Sequence, residues 1–285
     1  MDDFRFLRYN WRRWKGFVWW RFTYIWVGCY GKNIPKEFGN IIEVLNLKNI
    51  KFAIASGRNY REAVHRFEKY KNDIIFICDN GSSVYYRDEC IYCNTLDKDT
   101  IDNLISIGRN ISNSYVTLSG DRGFYIEDES IANQIRDICL NKDSVIDVDN
   151  LNNVKDLIFK VNIYDLVNTE TNSYKEFAKF NLPGIIVRPS GVNWLDIYSS
   201  NANKGTAIDI IQKKFNISKK ETMVFGDYLN DLEMMENAYY SYAMKNGHEK
   251  IKEVSNFETD FTNNENGVIE TIKKYVLKNE YATID

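Results

Sequence analysis

Acid is missing where this chain begins. No aspartate or glutamate occurs between Phe4 and Lys36, a stretch that also carries five of the six tryptophans, between Trp11 and Trp26. Histidine is scarce too: only His65 and His248 occur, both far in sequence from the lone CxxC of Cys90 and Cys93. A zinc site needs further ligands, so those cysteines read as structural thiols. Five cysteines, an odd number scattered along the chain, argue against a disulfide framework and for a reducing, cytoplasmic compartment. Three prolines and the absence of repeats leave no low-complexity linker. Long apolar runs are lacking as well. The uncharged stretch 22–30 is too short to span a bilayer, and Arg21 bounds it, so membrane insertion is not expected. Basic residues ahead of a short apolar stretch, with Val27-Gly28-Cys29, give the outline of a signal peptide. Its apolar part is aromatic, however, and Trp26 stands where a small aliphatic residue is expected. A net charge of −3 gives no global attraction to nucleic acid.

What is present suits a soluble globular protein with a sizeable core. The chain has 285 residues, 44% hydrophobic and 27% charged, enough for one large α/β domain or a core domain carrying an inserted second one. From Ile34 onward the pattern becomes regular. Phe38, Ile41, Ile42 and Leu45 have helical spacing behind Pro35, which predicts a helix. KFAIAS (51–56) reads as a short strand, residues 59–70 as helix, and IIFICDNGSSVYY as strand, turn and strand. That order predicts a parallel βαβ unit. Residues 84–189 change character: a hairpin around Arg87 to Glu89, polar helices, and β-type runs at FYIED, IFKVNIYD and GIIVRP. The remainder, 190–285, returns to alternating order through GVNWLDIY, NANKGTAIDIIQKKF, ETMVFGD, YLNDLEMMENA and YSYAMKNG. The expected organisation is therefore an atypical segment 1–33, a core domain in two parts (34–83 and 190–285), and an inserted α+β cap (84–189).

Three short elements follow apolar strands, where open α/β sheets bind ligands. Ser56-Gly57-Arg58 offers a hydroxyl, a glycine and a helix start, which suits an oxyanion or phosphate. A serine there also serves simply as a helix cap. Lys204 precedes a helix, where its ammonium can neutralise a phosphate or merely face solvent. In FGDYLNDLEMM, Asp227 ends a strand and Asp231 lies in the first turn after it, with Asn230 beside them. Two carboxylates so placed can share a hard cation, since Mg²⁺ uses one or two carboxylates plus phosphate and water. Helix capping and a first-turn acid explain the same spacing.

In this order, SGR, then Lys before a helix, then GDxxND, the sequence resembles the haloacid dehalogenase (HAD) superfamily of phosphatases, and within it the Cof-type (IIB) subfamily. The resemblance runs from about Ile34 onward. It includes Asn80-Gly81, the passage GVNWLDIYSSNANKGTAI, and AMKNGHEKIKEVSNFETDFTNNENGV with its Asn-x-x-x-Gly-Val turn. It implies a HAD-like Rossmannoid parallel-sheet core with an α+β cap of the C2B type, and Mg²⁺-dependent hydrolysis of small phosphate monoesters such as sugar phosphates or phosphorylated cofactors. By the same resemblance Ser56 bonds the phosphoryl group, Lys204 balances its charge, Asp227 holds Mg²⁺, and Asp231 is a ligand or supports one. Gly57, Asn80, Gly81 and Asn230 border the phosphate, Arg58 touches the substrate, and Arg188 or Asn193 of the cap selects the leaving group.

One part of the family pattern is absent. The family opens with a strand ending in DxDGT, whose first aspartate attacks phosphorus and whose second acts as acid and base. Where that motif belongs, this chain reads WWRFTYIWVGC, with no carboxylate. A shifted reading frame upstream of about residue 33, a degenerate member that binds phosphate compounds without turnover, and an anchor or partner-binding segment replacing the first strand each account for it. Loss of a central strand would expose apolar core and strand edges.

Overall fold

The computed structural model describes residues 23–27 and 34–277, and the expected alternation is present in it. Eight strands form the main sheet: β1 (Thr23–Val27), β2 (Lys51–Ala55), β3 (Ile74–Cys78), β4 (Ser83–Tyr86), β5 (Glu89–Cys93), β12 (Thr222–Gly226), β13 (Tyr240–Ala243) and β14 (Phe257–Glu258), in the order β14-β13-β12-β1-β2-β3-β4-β5. From β14 through β3 the pairs are parallel, and the β4–β5 hairpin adds an antiparallel edge. Both faces of the middle of this sheet are covered, which is why β2, β3 and β12 are nearly continuous apolar runs. Phe52 and Ile54 of β2 face α1 (Phe38–Leu47) and α9 (Gly267–Tyr275). Ala53 and Ala55 face α6 (Lys204–Phe215), α7 (Leu232–Met235) and α8 (Glu249–Val254). The hairpin turns at Arg87 and Asp88, both with left-handed backbone, the geometry whose twist matches paired strands.

The central place in this sheet is filled. β1 pairs in parallel with β12 on one side and β2 on the other, so the described chain does not lack its first strand. The residues around it, 1–22 and 28–33, which include much of the signal-like or anchoring segment expected from the sequence, lie outside the described residues.

A second sheet of six strands forms the cap: β6 (Ser114–Gly120), β7 (Phe124–Ile126), β8 (Val145–Asp147), β9 (Ile158–Asp165), β10 (Ile185–Pro189) and β11 (Trp194–Ser199), in the order β10-β11-β9-β6-β7-β8. One face packs Val116, Leu118, Val161, Ile163, Leu195 and Ile197 against α3 (Lys98–Arg109). The opposite face carries Ser119, Lys160, Asn162 and Asp196 toward the core domain. α4 (Glu129–Ile138) and α5 (Ser173–Phe177) complete the cap.

Sheet membership shifts the expected boundaries 84 and 190. The β4–β5 hairpin is bonded to β3 and belongs to the core, whereas β11 is bonded to β9 and β10 and belongs to the cap. Alternating strands look alike in either sheet, and only the pairing assigns them.

Candidate active site

The strand register sets the site. Val27 pairs with Ala55 and Trp26 with Phe225, so β2, β1 and β12 end at one level, with Ser56 and Asp227 just beyond the two outer ends. The chain leaves β1 toward β2 and β3 on one side and lies against β12, β13 and β14 on the other. This reversal of strand order is where doubly wound sheets bind ligands.

On the β2 side, two turns stack on each other. The amide of Asn80 donates to the Ser56 carbonyl (3.1 Å), and that of Asp79 to the Arg58 carbonyl (2.9 Å). The Ser56 hydroxyl accepts from the Arg58 amide at 3.1 Å. Asn59 caps α2 (Tyr60–Arg66) by accepting from the Glu62 amide. The helix cap of this motif is therefore Asn59, which leaves Ser56 in the strand-end turn. Gly57 packs so tightly on Asn80 that a Cβ would lie 2.9 Å from its side-chain oxygen. Gly81, at φ +98°, lets the same turn touch the start of α6: a Cβ there would lie 2.3 Å from the Asn203 carbonyl. Asn80-Gly81 is thus the spacer between the Ser56 loop and Lys204.

On the β12 side, Lys204 is only 1% exposed, and its Nζ donates to Asp231 Oδ1 at 2.6 Å. The other Asp231 oxygen accepts from the amides of Asp227 (3.0 Å) and Tyr228 (3.3 Å). Asp231 was expected as a ligand or its support. With both oxygens engaged, it holds Lys204 and the strand-end loop together. Asp227 differs. Burial raises its carboxyl above the usual range, the Asp231 charge adds to this, and Lys204 and a hydrogen bond from Asn263 oppose it. Asn263 Nδ2 donates to Asp227 Oδ2 at 3.2 Å. Asn263 is the asparagine of the Asn-x-x-x-Gly-Val turn, so its signal was in the sequence although its role was not. Asp227 opens onto a cavity of about 450 Å³ lined also by Tyr228, Asn246, Gly247, His248 and Asn263. Asn230 is half-buried in the turn before α7.

Does the donor set suit Mg²⁺? Among the described residues no group of three or more histidine, cysteine or acidic side chains could hold a metal. One half-buried carboxylate beside an open cavity nevertheless fits a cation that takes one or two carboxylates and completes its shell with phosphate and water. Asp227 is that carboxylate.

Other expected residues are placed differently. Arg58 is half-exposed, and its guanidinium pairs with Glu62 at 2.9 Å. Glu62 is buried and also accepts the cap amides of Leu140 (3.0 Å) and Asn141 (2.9 Å), so Arg58 reinforces a core–cap tie. Asn193 donates to the Asp165 carbonyl within the cap. Arg188 lies on β10 opposite Asp196. Cys90 donates its thiol to the Tyr92 carbonyl, and Cys93 is exposed. Sequence reasoning missed Lys160 and Asp196, which approach the Ser56 loop from the cap. Polar residues at alternate positions of IFKVNIYD were the available signal.

Comparison with known proteins bears on the family and the fold. A family model described as haloacid dehalogenase-like hydrolase matches residues 29–272. The chain is similar to the 5-amino-6-(5-phospho-D-ribitylamino)uracil phosphatase YbjI of Escherichia coli (strain K12), 24% identical over 240 residues, covering 83% of this chain and 86% of that protein. A haloacid dehalogenase-like hydrolase from Bacteroides thetaiotaomicron superposes with a TM-score of 0.77 at 18% identity, over 90% of this chain and 99% of that one. A sugar phosphatase of HAD subclass IIB superposes with a TM-score of 0.70 at 18% identity, over 90% and 98%.

Proposed function

Because the chain belongs to the haloacid dehalogenase-like hydrolases, we propose that its site binds the phosphate of a small phosphorylated metabolite beside Mg²⁺, and that hydrolysis is impaired in the chain as written. The observation that carries this reading is the level placement of Ser56 and Asp227 beside β1, with Lys204 buried on Asp231. Phosphoryl transfer depends mainly on positioning and charge neutralisation, which these residues supply. Ser56 donates its hydroxyl to a phosphoryl oxygen. Lys204 balances the charge of the phosphate, and Asp231 fixes the direction of its ammonium. Asp227 holds the cation, and Asn263 fixes the carboxylate. When bound, Mg²⁺ supplies charge neutralisation at the phosphoryl oxygens. In the family's reaction an aspartate at the end of the first strand attacks phosphorus to give an aspartyl phosphate. Here β1 is followed by Gly28, and no acid occurs up to Lys36.

That gap supports a second reading, a phosphate-ligand binder without turnover. Uracil-ribityl phosphates, as named for the E. coli relative, and sugar phosphates are the substrate classes to test first. No partner of nucleic-acid or membrane type is proposed. Among the described residues no helix is long and apolar enough to cross a membrane. The free thiols of Cys78, Cys90, Cys93 and Cys139 suit the cytoplasm. Titration with inorganic phosphate by calorimetry, with and without Mg²⁺, tests the site: saturable binding strengthened by Mg²⁺ is expected, and no binding in either condition refutes it.

A further inference from the structure

A second charged pair lies buried at this site, contributed entirely by the cap. Lys160 of β9 is 5% exposed and Asp196 of β11 is 4% exposed. Their side chains meet at 3.2 Å. A cap needs no such pair for its own packing, because its apolar face is already covered by α3. What the pair reaches is the core. Lys160 Nζ donates to the carbonyl of Gly57 at 2.9 Å, in the loop between Ser56 and Arg58. Asp196 Oδ2 accepts from Asn80 Nδ2 at 3.1 Å, in the turn stacked on that loop. Asn162, two residues from Lys160 on the same strand face, donates to the other Asp196 oxygen at 2.8 Å. Ser119 reaches Asp79 of the same turn at 2.8 Å, and Lys160 lies 4.0 Å from that carboxylate.

We propose that Lys160 is a positioning residue for the phosphate site: from the cap, it and Asp196 clamp the Ser56-Gly57-Arg58 loop onto the Asn80-Gly81 turn. The inference rests on the phosphate-site reading above. Lys160 touches no reacting atom in this arrangement. It acts through the Gly57 carbonyl, which fixes the peptide plane joining Gly57 to Arg58, and so the direction of the Arg58 amide that meets the Ser56 hydroxyl. A buried ammonium holds such a geometry well, because swinging away would leave both the ammonium and the Asp196 carboxylate unpaired out of water. The loop is thereby completed only where the cap lies on the core, which ties the shape of the phosphate seat to the cap's position.

The test uses the full chain and inorganic phosphate with Mg²⁺, read by calorimetry, with thermal melting measured in parallel. Lys160→Met should weaken phosphate binding about tenfold, the scale of one lost charge-assisted contact, and should lower the melting temperature because Asp196 is left unpaired. The double variant Lys160→Met/Asp196→Asn removes that orphan charge. It should regain most of the melting temperature while phosphate binding stays weak. A double variant that regains both, or a folded Lys160→Met that binds phosphate as the parent does, overturns the positioning role and leaves the phosphate site standing. A parent chain that binds no phosphate overturns the site itself and the role of Lys160 with it.

Discussion

Substituting Asp79 by asparagine should stabilise the protein near neutral pH and leave it unchanged in acid. Asp79 is fully buried between the Asn80 turn and the cap. Burial pushes its carboxyl from 3.8 up to about 6, although Lys160 and the Ser119 hydroxyl favour the ionised form. A folded-state pKa above the unfolded one means that the native state holds the proton more tightly. Stability contributed by this group is therefore complete below about pH 4, declines as pH rises through the window between 3.8 and about 6, and is lost above it. At 1.36 kcal/mol per unit, the difference between 3.8 and about 6 corresponds to about 3 kcal/mol at pH 7.5. Asparagine resembles the protonated acid in shape and cannot ionise. It also suits the left-handed backbone at this position, φ +49°. Urea unfolding followed by circular dichroism at pH 4.5 and pH 7.5 would measure the effect. Asp79→Asn should raise the midpoint clearly at pH 7.5 and far less at pH 4.5. A variant equally destabilised at both values would refute the reasoning, because the carboxylate would then be a favourable partner of Lys160 and not a buried cost.

Further outcomes follow from the same structure. Lys204→Met should destabilise the fold by about 3–5 kcal/mol, since Asp231 is left charged and buried, and Lys204→Met/Asp231→Asn should recover much of the loss in chemical denaturation. Gly81→Ala should cost more than Gly184→Ala: both glycines have positive φ, but a Cβ at Gly81 meets the Asn203 carbonyl whereas nothing lies within 4 Å of one at Gly184. Melting temperatures of the two variants check this directly. Asp227→Ala should abolish the strengthening of phosphate binding by Mg²⁺ while weaker metal-free binding persists; an unchanged Mg²⁺ effect in calorimetry would remove Asp227 from the metal role.

Much of this arrangement was legible because the chemistry is local in sequence. Strands buried on both faces leave continuous apolar runs such as those before Ser56 and Asp227, and ligand-bearing turns follow them. Pairing was not legible. Nothing local distinguishes the hairpin Ser83–Cys93, which extends the core sheet, from Trp194–Ser199, which closes the cap sheet. The same limit hid the roles of carboxylates. Spacing alone left Asp231 as a ligand or its support, and only the fold reveals its ion pair with Lys204, 27 residues away. Asn263 and Lys160 act across still longer separations, 36 residues to Asp227 and 103 to Gly57. The Arg58–Glu62 pair was close in sequence, but the bonds that Glu62 accepts from Leu140 and Asn141 of the cap were not legible there.

What the proposed phosphate site lacks is the acid after β1. The residues following that strand read Gly28-Cys29-Tyr30-Gly31. Matching Gly31 to the glycine of DxDGT puts the two family aspartates at 28 and 30. The direct measurement is Mg²⁺-dependent release of p-nitrophenol from its phosphate ester by the chain as written and by Gly28→Asp/Tyr30→Asp. No turnover is expected of the first and Mg²⁺-dependent turnover of the second, abolished again by Asp227→Ala. Turnover by the unaltered chain at a comparable rate, or a folded, phosphate-binding double variant that stays inert, would contradict this expectation.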